Sequence, residues 1–130
     1  MTDKPAAQTG LIRIIAAGGY SWAGLVFAVR REAAFRQELV LYLLLLAVLP
    51  FLPLSGLHKL ALLSLNTLVL IVELLNSAIE KVVDLASPDY HLLAKQAKDM
   101  GSAAVLLALL LALGGWFMAL ASIWWGCGRP

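Results

Sequence analysis

Three stretches of this chain are apolar for the length of a bilayer, and runs of that length with almost no charge are read as transmembrane helices. Residues 39–54, LVLYLLLLAVLPFLPL, carry no charge; with Ala33, Ala34 and Phe35 leading into the interface, they predict a span over 33–54. SGLHK, residues 55–59, reads as the turn before the next run. Residues 60–86 hold one charge, Glu73, in their first twenty positions. At ~1.5 Å per residue that run reaches about 40 Å against a hydrocarbon core of roughly 30 Å, so its end with Glu80, Lys81 and Asp84 projects to the headgroups. Ser87 and Pro88 of SPD are placed to cap and open the next helix. That helix stays polar to Asp99 and spans the membrane over 99–125.

A chain of 130 residues with 62% hydrophobic and 14% charged residues cannot cover a soluble core, which excludes a water-soluble globule. The expected fold is an all-α membrane protein, one domain over residues 1–130. The opening residues lack the apolar core and cleavage site of a secretory signal. Instead, residues 10–31 predict an amphipathic helix lying on the membrane surface. Leu11, Ile15, Trp22, Leu25, Val26 and Val29 form one stripe of it, and Arg13, Ala17, Tyr20, Gly24, Ala28 and Arg31 another. Lys4, Arg13, Arg30, Arg31, Arg36, Lys81, Lys95 and Lys98 fall on one side of the bilayer, and only Lys59 and Arg129 on the other. By the positive-inside rule the N-terminus and the second connection are cytoplasmic and the C-terminus is periplasmic. A net charge of +2 is too small to indicate nucleic acid as a partner. The single cysteine, Cys127, cannot form an internal disulfide and is read as a bystander.

Residues on a helix advance by about 100°, so Glu73, Asn76, Glu80 and Asp84 share one narrow face, which Asn66 extends a heptad earlier. An ionised carboxylate buried in a span costs on the order of 2.5 kcal/mol or more, and such groups face a protein interior, a water-filled cavity or a partner charge. Lys95, Lys98, Asp99 and Ser102 recur at spacings of three and four on the last helix, offering a complementary face. Gly101, Ser102, Ala103 and Ala104 form a small-residue patch that permits close helix approach. In RREAAFRQE, Glu32 and Glu38 stand at the membrane edge, where Glu32 can approach Glu80. Converging carboxylates without a cysteine or histidine cluster suit a hard cation such as Mg²⁺ better than zinc, and carboxylates with lysine suit phosphoryl transfer. No GxxxxGK[ST] loop is present, and Gly18-Gly19, His58 and His91 are weak signals by themselves.

AAGGYSWAGL, EAAFRQE, VELLNSAIEKVVD and AKDMGSAAV, in this order, resemble the small integral-membrane diacylglycerol kinases of Gram-negative bacteria. The resemblance spans roughly residues 11–125 and implies a homotrimer in the inner membrane that uses ATP and Mg²⁺ to turn diacylglycerol into phosphatidate. It makes Glu73 the catalytic base and gives the metal to Glu32 and Glu80. Around ATP it implies Arg13, Ala17, Tyr20, Glu32, Asn76 and Glu80, together with Asp89, Tyr90, His91, Lys98 and Asp99. Along the lipid it implies Ser21, Trp22, Ala34, Phe35, Arg36, Gln37, Glu38, Glu73 and Ser102. The segment FLPLSGLHK is divergent, so no lipid contact is assigned to residues 51–59. Three other functions stand beside this one, of which a purely structural membrane adaptor would not place so many ionisable groups on one stripe. An undecaprenol kinase would share the fold and the catalytic pattern. A small oligomeric proton or ion conductor would use Glu73 alone and leave Lys98, Asp99, Glu32 and Glu80 without a task.

Overall fold

The computed structural model describes residues 10–126, and these contain four long helices. They are α1 (Leu11–Arg31), α2 (Ala33–Val48), α3 (Gly56–Ala86) and α4 (Leu92–Gly126). A single 3₁₀ turn, Leu49–Phe51, prolongs α2. Three helical stretches are long and apolar enough to cross a membrane: Ala33–Phe51, Gly56–Ala86 and Leu92–Trp125. The expectations for Lys4, Cys127 and Arg129, and for the Leu11 side chain, lie outside what is described.

One residue separates α1 from α2. Glu32 takes an extended conformation (φ −99°, ψ 112°), yet its N–H still bonds Ala28 O at 2.9 Å and its carbonyl accepts from Arg36 N at 3.2 Å. The chain therefore turns sharply without losing its hydrogen bonds. Arg36 Nη1 reaches back to the carbonyls of Val29 (3.4 Å) and Arg30 (3.2 Å), placing a cation on the free carbonyls that end α1. This fixes the Glu32 carboxylate at a corner.

The two connections differ from the sequence expectation. SGLHK is no separate turn: Ser55 is the N-cap of α3, its Oγ accepting from His58 N at 3.4 Å and meeting His58 Nδ1 at 2.7 Å. Lys59 in that first turn bonds Pro50 O at 2.9 Å, closing the loop. The helix thus begins at Gly56 rather than 60, and helical structure in the first span stops at Phe51 rather than 54. At the other end, Ser87 does not cap α4. Its hydroxyl donates to Asp89 O at 3.0 Å within the bend, whereas His91 Nδ1 accepts from Leu93 N at 3.2 Å just before the helix starts. An imidazole with a free ring nitrogen here replaces the hydroxyl expected at a cap.

Close packing is concentrated between α3 and α4, with α2 leaning on α3. The buried residues of α4 are small: Gly101, Ala108, Ala112 and Ala119. Small residues spaced by whole turns let two backbones approach, which is how helices associate where no hydrophobic effect separates protein from lipid. Val69, Ala108 and Ala112 form one buried cluster, and Leu49, Leu62 and Ala119 another toward the Lys59 end. Leu43, Leu44, Leu106, Leu107 and Phe117 are exposed, apolar groups turned toward the place of lipid tails.

Candidate active site

The face that α3 turns inward is polar where the rest of the span is apolar. Glu73 (5% exposed), Asn76 and Ser77 are all buried, and Asn76 Nδ2 donates to Glu80 Oε1 at 3.3 Å, one turn further along. Glu80 and Glu32 both lie near enough to Glu73 to act on its charge, as does Glu73 on Glu38 of α2. Four carboxylates from three elements therefore share one region. Within it, Lys81 Nζ stands 2.7 Å from Glu32 Oε1 and 5.5 Å from the centre of the Phe27 ring. Glu38 Oε2 and Asn76 Oδ1 are buried without a hydrogen-bond partner.

Nearer the end of α3, the residues expected around a nucleotide line an open cup of about 420 Å³ between α3, the bend and α4. Asp89, Tyr90, His91, Lys98 and Asp99 contribute to it, together with Asp84 and Lys95. Neighbouring residues on a helix diverge, so Lys98 and Asp99 find different partners. Lys98 pairs with Asp84 and Lys95 with Asp99, each at 2.5 Å. The sequence marks Asp84 as part of the α3 stripe without giving it a task at the site, and does not mark Lys81 as a site residue at all. Asp84 meets Lys98 of the complementary face on α4, whereas the partner of Lys81, Glu32, lies at the α1–α2 corner, which no spacing along α3 announces.

A groove within the span runs down from Glu38 past Tyr42 and Asn66 to Trp116. Trp116 Nε1 donates to Asn66 Oδ1 at 3.4 Å, and the hydroxyls of Tyr42 and Thr67 are 3.2 Å apart. These pairs link α4 and α2 to α3. Of the expected lipid contacts, Phe35 is buried as a packing residue, while Ala34, Arg36 and Gln37 are exposed. Arg13, Ala17, Tyr20, Ser21 and Trp22 are exposed along α1, and Ser102 is exposed on α4. Among the described residues no hydrogen bond or ion pair ties these six to the carboxylates; Ser21 Oγ donates to Ala17 O at 3.0 Å. A single chain assembles the α3 stripe and the cup, but not the α1 portion of the expected site.

Among the described residues no group of three or more acidic, histidine or cysteine side chains is gathered as a metal cage. Magnesium does not need one. It commonly keeps several waters and takes one or two carboxylates plus substrate phosphates. Glu32 and Glu80 offer the hard oxygen atoms this requires, beside an excess of negative charge. The donor set fits.

Residues 19–120 match the prokaryotic diacylglycerol kinase family. The chain belongs to that family. It is 51% identical over 112 residues to the diacylglycerol kinase of Escherichia coli K12, covering 86% of this chain and 92% of that protein. The Pseudomonas aeruginosa diacylglycerol kinase is 50% identical over 109 residues (84% and 89%), and that of Haemophilus influenzae 41% over 103 (79% and 87%). The α3 stripe and the cup lie wholly inside the matched stretch, whereas Arg13 and Ala17 precede it.

Proposed function

We propose that the protein transfers the γ-phosphoryl group of ATP to the primary hydroxyl of diacylglycerol, giving phosphatidate and ADP. The observation that carries this is the inward face of α3: a buried Glu73 and, two turns nearer the cup, a half-buried Glu80 held by Asn76. At 1.5 Å per residue the two carboxylates are about 10 Å apart along the axis, a separation that suits a lipid alcohol at one and nucleotide phosphates at the other.

Glu73 accepts the hydroxyl proton as the alcohol oxygen bonds to the γ-phosphorus. The bond from that phosphorus to the bridging oxygen breaks, and its electrons leave with ADP. Glu32 and Glu80 hold Mg²⁺ in this reading; bound there, it neutralises phosphate charge. Lys98 belongs to the nucleotide's side of the site. Its pairing with the exposed Asp84 is of the solvent-screened kind, which a phosphate can replace. Glu38 lies along the path of the lipid headgroup.

The whole chain acts as one membrane-embedded domain of the bacterial inner membrane, with α1 on the cytoplasmic surface and the C-terminus periplasmic. Three copies assemble, and neighbouring copies supply the α1 side chains that one chain leaves exposed. The test is direct. Purified protein in mixed micelles with Mg²⁺ and ATP should convert diacylglycerol to phosphatidate. Phosphorylation of a polyisoprenoid alcohol alone, or no lipid phosphorylation by folded protein, would overturn the assignment.

A further inference from the structure

The face of α3 that carries Asn76 meets α4 at Gly101, which is buried. A Cβ at that position would overlap Asn76 Oδ1 and lie 3.4 Å from its Cγ. Asn76 donates through Nδ2 to Glu80 Oε1 at 3.3 Å, while its Oδ1 accepts no hydrogen bond. The reverse orientation of the amide would set two acceptors face to face, so its carbonyl end must turn toward α4. Only a residue without a side chain leaves room for it there. We propose that Gly101 is a positioning residue: the hollow it leaves on α4 seats the Asn76 carbonyl and so aims the amide N–H at Glu80. The inference rests on the assignment of Glu80 to the metal and adds to it the residue on the opposite helix that fixes this carboxylate.

Gly101 lies within α4 and has no positive φ, so alanine there meets no backbone obstacle and has the higher helix propensity. Any loss must come from space. Gly115 provides the matched control. It lies on the same seam, where a Cβ would overlap Leu65 Cδ1, the far end of a flexible apolar side chain, and would touch Leu62 Cδ2 at 3.7 Å. Both substitutions press a methyl group between α3 and α4, but only one presses it against a polar group joined to Glu80.

The experiment measures Mn²⁺ binding by electron paramagnetic resonance with a non-hydrolysable ATP analogue present, alongside the Mg²⁺ dependence of initial rate. Gly101→Ala should weaken Mn²⁺ binding about tenfold, the usual scale for losing a group that orients a metal ligand, and raise the Mg²⁺ half-saturation to match. Gly115→Ala should bind Mn²⁺ as the parent does, even if its unfolding shifts. Gly101→Ala combined with Asn76→Ala should be no worse than Asn76→Ala alone, since without the amide the methyl group displaces nothing. Equal Mn²⁺ affinity in Gly101→Ala and Gly115→Ala, or fully additive losses in the double variant, overturns the inference while leaving the metal assignment standing. A parent protein that binds no Mn²⁺ overturns both. Should Gly101→Ala alone fail to fold, recovery in the double variant supports the contact and absence of recovery refutes it.

Discussion

Replacing Glu73 by glutamine separates a catalytic carboxylate from a structural one, because the two roles predict opposite changes in stability. The side chain is 5% exposed, so the amide keeps its volume in a closed site but cannot accept a proton. General-base catalysis contributes typically 10²–10⁴-fold, so turnover should fall by about that factor, or roughly 2.7–5.5 kcal/mol in the barrier. Stability should move the other way. Glu80 is seven residues along the same helix, about 10 Å away, and two like charges at that distance repel by roughly 1.5 kcal/mol at an effective dielectric of 20. Glu32 and Glu38 add repulsion of the same sign. Glu73→Gln is therefore expected to resist unfolding better than the parent by about 1 kcal/mol. Initial rates at saturating ATP and diacylglycerol, nucleotide binding and unfolding in mixed micelles test this together. Near-normal turnover would refute the role of base. So would lost turnover with a matching loss of stability, the mark of a carboxylate that holds the helices together.

Two further outcomes follow from the arrangement. Glu32→Gln and Glu80→Gln should each raise the Mg²⁺ concentration for half-maximal rate about ten- to a hundredfold while the oligomer stays intact, and unchanged metal dependence in both would remove them from the metal site. Because one chain assembles both the α3 stripe and the cup, mixing subunits inactivated at Glu73 with subunits inactivated at Lys98 should restore little activity, whereas mixing the Glu73 variant with one inactivated at Arg13 of α1 should restore part of it; no recovery in well-mixed oligomers of the second kind would refute a site shared between chains.

The helices were legible in the sequence because a transmembrane helix satisfies its own backbone, leaving a long apolar run as sufficient signal. The stripe of Glu73, Asn76 and Glu80 was legible for a related reason, since the angle per residue alone places them on one face. Helix ends were less so. Ser55 carried the usual signature of a cap, but the polar His58 and Lys59 made the first turn of α3 look like a connection. SPD imitated a cap that His91 supplies instead. What the sequence could not give was register between helices. Lys98 with Asp84 and Gly101 with Asn76 depend on how far α4 slides along α3, which the small residues of α4 settle only once α3 is in place, and Lys81 with Glu32 depends on where the α1–α2 corner meets α3.

The order of charges along α3 explains why carboxylates lie so deep in an apolar span. Toward the cup, the charged groups are paired in the chain itself, Lys98 with Asp84 and Lys95 with Asp99. One layer down, Lys81 faces Glu32, and Glu80 has only an amide donor. Deeper still, Glu73 is buried among like charges, and Glu38 Oε2 and Asn76 Oδ1 have no donor at all. Each buried polar atom left unpaired costs about 1–3 kcal/mol, so a fold shaped by stability alone would replace these groups with apolar ones. Every unmet need in that layer is for a donor or a positive charge. The proposed phosphoryl transfer would bring both, the hydroxyl proton from the membrane side and the cation accompanying the phosphates from the cup. In that reading the two substrates, arriving from opposite directions, would answer the carboxylates of this layer, while the Asn76 carbonyl stays seated against Gly101.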